Sequence, residues 1–76
     1  HIATLVKAMN ENLRSTSFVK EGCDLLWVLA SESESIRSKI LALDGISTLM
    51  KCLQENSNHP EAKTSALGAF NQLAKA

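Results

Sequence analysis

The chain repeats itself. Leu5 to Ala30 and Leu49 to Ala74 superimpose without a gap at an offset of 44 residues. The identical pairs are Leu5/Leu49, Lys7/Lys51, Glu11/Glu55, Asn12/Asn56, Leu29/Leu73 and Ala30/Ala74. Val6/Met50, Met9/Leu53 and Leu26/Phe70 keep their apolar character. A period in the low forties with helical patterning throughout predicts stacked helical repeats, each burying its apolar face against its neighbour. In such a stack, function lies on a surface made by stacking and needs no enclosed pocket.

Each segment carries its own helical signal. Ile2, Leu5, Val6, Met9 and Leu13 recur at threes and fours, which predicts a first helix over roughly 1–12. Ser15, Thr16 and Ser17 offer N-cap hydroxyls to a second helix over about 17–30. Its apolar positions, Phe18 to Ala30, cover more than half a turn and predict packing on several sides. Ser31-Glu32-Ser33-Glu34-Ser35 is a break in which Ser31 or Ser33 can cap the next helix. The same acidic, hydroxyl-rich run is open to an alternative reading as a phosphorylation site. Ile36, Ile40 and Leu43 mark a short third helix, and Asp44-Gly45 ends it, with Gly45 suited to a left-handed backbone. Ile46, Leu49, Met50 and Leu53 repeat the first helix, Ser57-Asn58-His59-Pro60 breaks it, and Pro60 suits the first turn of a fifth helix ending near Leu73.

Composition excludes several functions. Eight basic residues balance eight acidic ones, and no basic stripe forms, so nucleic acid is not an expected partner. No apolar run reaches the roughly 20 residues a bilayer crossing needs, so no membrane partner is expected. There is no signal-peptide pattern, and the chain opens at His1 with helical patterning already under way; a fragment of a longer solenoid is expected. Cys23 and Cys52 sit in apolar helical patterns and read as free buried thiols of an intracellular, cytoplasmic protein. Neither they nor His1 and His59 show zinc-ligand spacing, the glycines form no phosphate loop, and no nucleophile–base–orienter set exists. No enzyme, metal or cofactor is expected.

The unit of short helix, glycine turn, medium helix, polar break and long helix resembles the armadillo repeat. Ile40 to Leu53 look like that family's helix 1–Gly–helix 2 segment, Glu21 to Ala30 like its helix 3 signature, and Ser65 to Ala74 like a looser copy of it. The resemblance implies an all-α, armadillo-like, right-handed superhelical fragment of five helices, with a partial repeat over 1–30 and a full repeat over 33–76. It also implies that the long helices line a concave surface that binds extended peptides. The family's nuclear-transport members carry an Asn ladder and a Trp array. The corresponding positions here are Val28 and Gln72, and Asp24 and Gly68, so recognition of basic nuclear-localisation peptides is not implied.

Periodicity alone picks out an outward stripe on each long helix: Lys20, Asp24, Trp27, Val28 and Ser31, and Thr64, Gly68, Asn71, Gln72 and Lys75. The two stripes align at the repeat offset. Trp27 and Val28 are unusual on a solvated face, and Trp is a frequent binding anchor. Gly68 is expected to leave room beside Trp27 for a bound backbone, with Asn71 and Gln72 supplying donors and acceptors. The expected partner-binding set is therefore Lys20, Asp24, Trp27, Val28, Gly68, Asn71 and Gln72, on a protein-interaction scaffold. Equally, Trp27 packs against an adjacent helix and the segment serves as a spacer. Its uncapped repeat ends would then mediate stacking or self-association as a homo-oligomer.

Overall fold

The computed structural model describes residues 2–75. His1, the start of the expected first helix, lies outside them. Five helices follow one another: α1 (Ile2–Glu11), α2 (Thr16–Glu32), α3 (Glu34–Ala42), α4 (Gly45–Glu55) and α5 (Pro60–Ala74). The architecture is all-α, with no strand among the described residues. No helix there is long and apolar enough to cross a membrane.

The 44-residue repeat is visible in the turns. After α1, the Asn12 side-chain amide donates to the Ala8 carbonyl (2.7 Å), and the Asn12 carbonyl accepts from Ser15 N–H (3.0 Å). After α4, the Asn56 amide donates to the Cys52 carbonyl (3.0 Å), and the Asn56 carbonyl accepts from His59 N–H (2.9 Å). The next helices open alike, Val19 N–H on the Ser15 carbonyl and Lys63 N–H on the His59 carbonyl. The Asn12/Asn56 identity thus encodes a helix terminus in which a side-chain amide donates back to a last-turn carbonyl of the ending helix.

The two copies meet mainly through α2 and α5, the most extensive helix pair in the molecule, with α1 against α4 beside it. The seam is narrow because α5 brings Ala62, Ser65, Ala66 and Ala69 to it, all buried. Behind the seam lies one core, which includes Met9, Val19, Cys23, Leu26, Ile40, Leu49, Cys52 and Leu73. Polar bonds cross it too. Buried Asn56 donates to the Leu13 carbonyl (2.8 Å) and accepts from the Thr16 hydroxyl (3.0 Å). The buried Thr48 hydroxyl donates to Asn10 Oδ1 (3.2 Å), and Arg14 pairs with Glu55 (3.1 Å) at the surface.

Several expectations need correction. Asp44, not Gly45, takes the left-handed conformation (φ 62°, ψ 39°), as a short polar side chain can. Gly45 instead opens α4 and is glycine for space: a Cβ there would lie 2.5 Å from Ile40 Cγ2 and 2.9 Å from the Ile40 carbonyl oxygen. α2 is less enclosed than its composition predicts, since Phe18, Leu25 and Val28 remain open to solvent. The break between α2 and α3 shrinks to Ser33, whose hydroxyl accepts from Ile36 N–H (3.3 Å). Ser31 remains in α2 and donates to the Val28 carbonyl. Leu13 and Leu43 fall in the turns just past α1 and α3.

Candidate functional site

α2 and α5 present their stripes on a common side, and an open depression of about 570 Å³ lies between them. Trp27, Thr64, Leu67, Gly68, Asn71, Gln72 and Lys75 line it. Six of these seven belong to the paired stripes. Leu67 does not, because its apolar character at a helical spacing marks it as core, yet 43% of it is exposed.

The relation between Trp27 and Gly68 differs from the expectation. The space above Gly68 is already filled: a Cβ added there would fall on Cζ3, Cε3 and Cη2 of the Trp27 ring. Gly68 therefore allows close approach of the protein's own indole, not of a ligand backbone. Trp27 lies across α5 with one face covered and 39% of its surface still open. It forms an apolar floor that rests on α5 at Gly68. The expectation of packing against a neighbouring helix and that of an exposed apolar surface are both met by this one side chain.

The remaining expected residues divide. Gln72 is half-buried and Asn71 exposed on the rim, and the Lys75 side chain completes one end. Val28 is 51% exposed but lies outside the lining, so the depression does not include it. Lys20 and Asp24 lie nearer the helix N-termini. Lys20 Nζ donates to Asp24 Oδ2 (3.0 Å), one helical turn on. The Ser65 hydroxyl and the Lys20 ammonium hold the Asp24 carboxyl below its ordinary value, and the bond to Asp24 raises Lys20 in turn. The pair thus neutralises itself, and Lys20 lines a separate depression with Pro60, Glu61, Thr64 and Ser65. His59 is the exposed N-cap residue of α5, without a side-chain capping bond.

Both cysteines are free and buried. The Cys23 thiol is hydrogen-bonded to Cys52 and shielded from water, and both effects hold its pKa above the usual thiol value. A buried thiol kept protonated is a poor nucleophile and a poor ligand.

Compared with known protein families, curated proteins and solved structures, the chain matches none.

Proposed function

We propose that this chain is an armadillo-like segment of an intracellular protein-interaction scaffold. It binds an extended segment of a partner protein along the face shared by α2 and α5. The observation that carries this reading is the depression floored by the half-open Trp27 ring and rimmed by Asn71 and Gln72. A fixed aromatic surface loses little side-chain entropy when a ligand covers it, and aromatic anchors dominate most interfaces. Side-chain amides beside it offer donors and acceptors to a main chain that has no partners of its own. The repeating turns at an offset of 44 and the packing of α2 on α5, lined by small residues, support the solenoid reading. The two free, buried cysteines accord with a reducing compartment.

The test is selection of a displayed library of linear peptides on the immobilised chain, followed by titration of the selected peptides against Trp27 emission. Trp27 is the only tryptophan, so the signal reports one place. Peptides that bind should perturb that emission and lose affinity against Trp27→Ala and Gln72→Ala. Selected peptides that bind both variants as well as the parent chain would remove the reading.

A further inference from the structure

Burial differs between the two copies, and the difference has a direction. A residue buried in one copy but open at the matching position of the other owes its burial to the contact between copies. Val6, Cys23 and Leu26 are buried, while their counterparts Met50 and Leu67 are 49% and 43% exposed and Phe70 is only partly covered. In the other direction, Ala62, Ala69 and Leu73 are buried, while their counterparts Phe18 and Leu25 are 36% and 48% exposed and Leu29 is half-open. The second copy therefore presents a front face (Met50, Leu67, Phe70) equivalent to the surface it covers on the first. The first presents a rear face (Phe18, Leu25, Leu29) equivalent to the surface with which the second covers it.

Three of the four polar contacts across the seam carry over as well; the Thr16 hydroxyl bond to Asn56 does not, because Pro60 stands at the matching position and has no donor. Shifted by 44 residues, the Asn56 bond to the Leu13 carbonyl becomes Asn12 on the Ser57 carbonyl, and Thr48 on Asn10 becomes Thr4 on Gln54. Arg14 on Glu55 becomes Asn58 on Glu11. The five side chains are exposed, as is Ser57, whose carbonyl completes the set; Asn58 offers Glu11 a neutral donor where Arg14 is charged.

From this continuity with the internal seam we infer that the chain self-associates head to tail, the front face of one copy on the rear face of the next. The contact is heterologous, so it propagates instead of closing on a dimer. In apolar packing the joint differs from the internal seam in one respect: Phe18 and Leu25 replace Ala62 and Ala69, which sets the long helices further apart. The next copy's Asp24 stands beside Asn71, as Gly68 stands beside Trp27, so the joint forms one wall of the depression.

Light scattering and sedimentation velocity over a micromolar-to-millimolar series test this, with two double variants confined to exposed residues. Met50→Glu with Leu67→Glu blocks the front, and Phe18→Glu with Leu25→Glu blocks the rear. The parent chain should pass from one-chain to beyond two-chain mass with concentration. Each double variant should stay at one-chain mass. Their equimolar mixture should reach two-chain mass and stop, because each supplies the face the other lacks. Circular dichroism checks that the variants fold. Should either fail, Asn12→Ala serves: it should weaken association on the order of fivefold, the effect of one net hydrogen bond, and leave the dilute chain folded. A parent chain at one-chain mass throughout would overturn the inference and assign the faces to another occupant. So would a double variant that dimerises alone, a mixture that stays at one-chain mass, or an Asn12→Ala chain that associates undiminished.

Discussion

Replacing Asn56 with alanine removes the same atoms as replacing Asn12, at the same point of the repeat, yet the two substitutions should differ severalfold in cost. Asn56 is 1% exposed and makes three hydrogen bonds: to the Leu13 and Cys52 carbonyls and from the Thr16 hydroxyl. Asn12 is exposed and makes one such bond, to Ala8. A net hydrogen bond is worth about 1 kcal/mol, and a polar group stranded away from water costs as much or more. Asn56→Ala should therefore destabilise the chain by about 3 kcal/mol, and Asn12→Ala, whose carbonyl partner reverts to water, by about 0.5 kcal/mol or less. A chain of 76 residues has roughly 4–11 kcal/mol in total, so the first loss is a large share of it. At about 4–8 °C per kcal/mol, Asn56→Ala should lower Tm by roughly 12–24 °C and Asn12→Ala by at most about 4 °C.

Thermal and urea unfolding followed by circular dichroism would measure both, on samples dilute enough that association plays no part. A conservative arm is Asn56→Asp, which keeps an acceptor for Thr16 but turns acceptor atoms toward two carbonyls, and it should recover little of the loss. Equal losses for Asn56→Ala and Asn12→Ala would refute the reasoning, because they would mean that the turn itself, and not the bonds across the seam, carries the energy.

Three further outcomes are expected. Gly68→Ala should displace the Trp27 ring from α5, red-shifting its emission and destabilising the chain by about 1–3 kcal/mol despite alanine's better helix propensity; unchanged emission would contradict the contact. The Asp24 carboxyl is held below its ordinary 3.8, so its contribution to stability is full above that value and is lost as pH falls through the lower folded one. The stability advantage of the parent chain over Asp24→Asn should accordingly shrink in acid, and a pH-independent difference would count against the bond to Ser65 and Lys20. Cys23 and Cys52 should resist a thiol-specific disulfide reagent until denaturant is added, both then reacting together; a rapid native reaction at either would contradict their burial.

The helices were legible because their signals are local. Ile2, Leu5, Val6 and Met9 carry the 3.6-residue period, and Pro60 marks the start of α5 through its missing N–H. The side on which Trp27, Asn71 and Gln72 meet was also legible, since the repeat offset relates the faces of α2 and α5. What the indole does was not, because whether the space over Gly68 is open depends on the distance between two helices, and the small residues of α5 set that distance. The left-handed Asp44 was hidden for a similar reason. The dipeptide Asp44-Gly45 offers two residues able to adopt that conformation, and only the proximity of Ile40 to Gly45 decides which one must stay free of a Cβ.

The exposed Leu25 and Leu67 show the deeper limit. An apolar residue on a helix is read as core because a lone globule must bury it. In a repeat, the same position alternates between core and surface according to whether a neighbour covers it, so periodicity fixes the face without fixing its burial. Asn12 and Asn56 make the converse case: a residue type normally assigned to the surface becomes, at the second occurrence, a bond across the seam. The sequence carries the sign of that, as an identity at the repeat offset, but its meaning depends on the contact between the two copies. Comparing burial at matched positions separates what each copy buries on its own from what it buries against a neighbour. By that comparison Ala62, Ala69 and Leu73 belong to the contact between copies, and Phe18, Leu25 and Leu29 are the same surface without its cover.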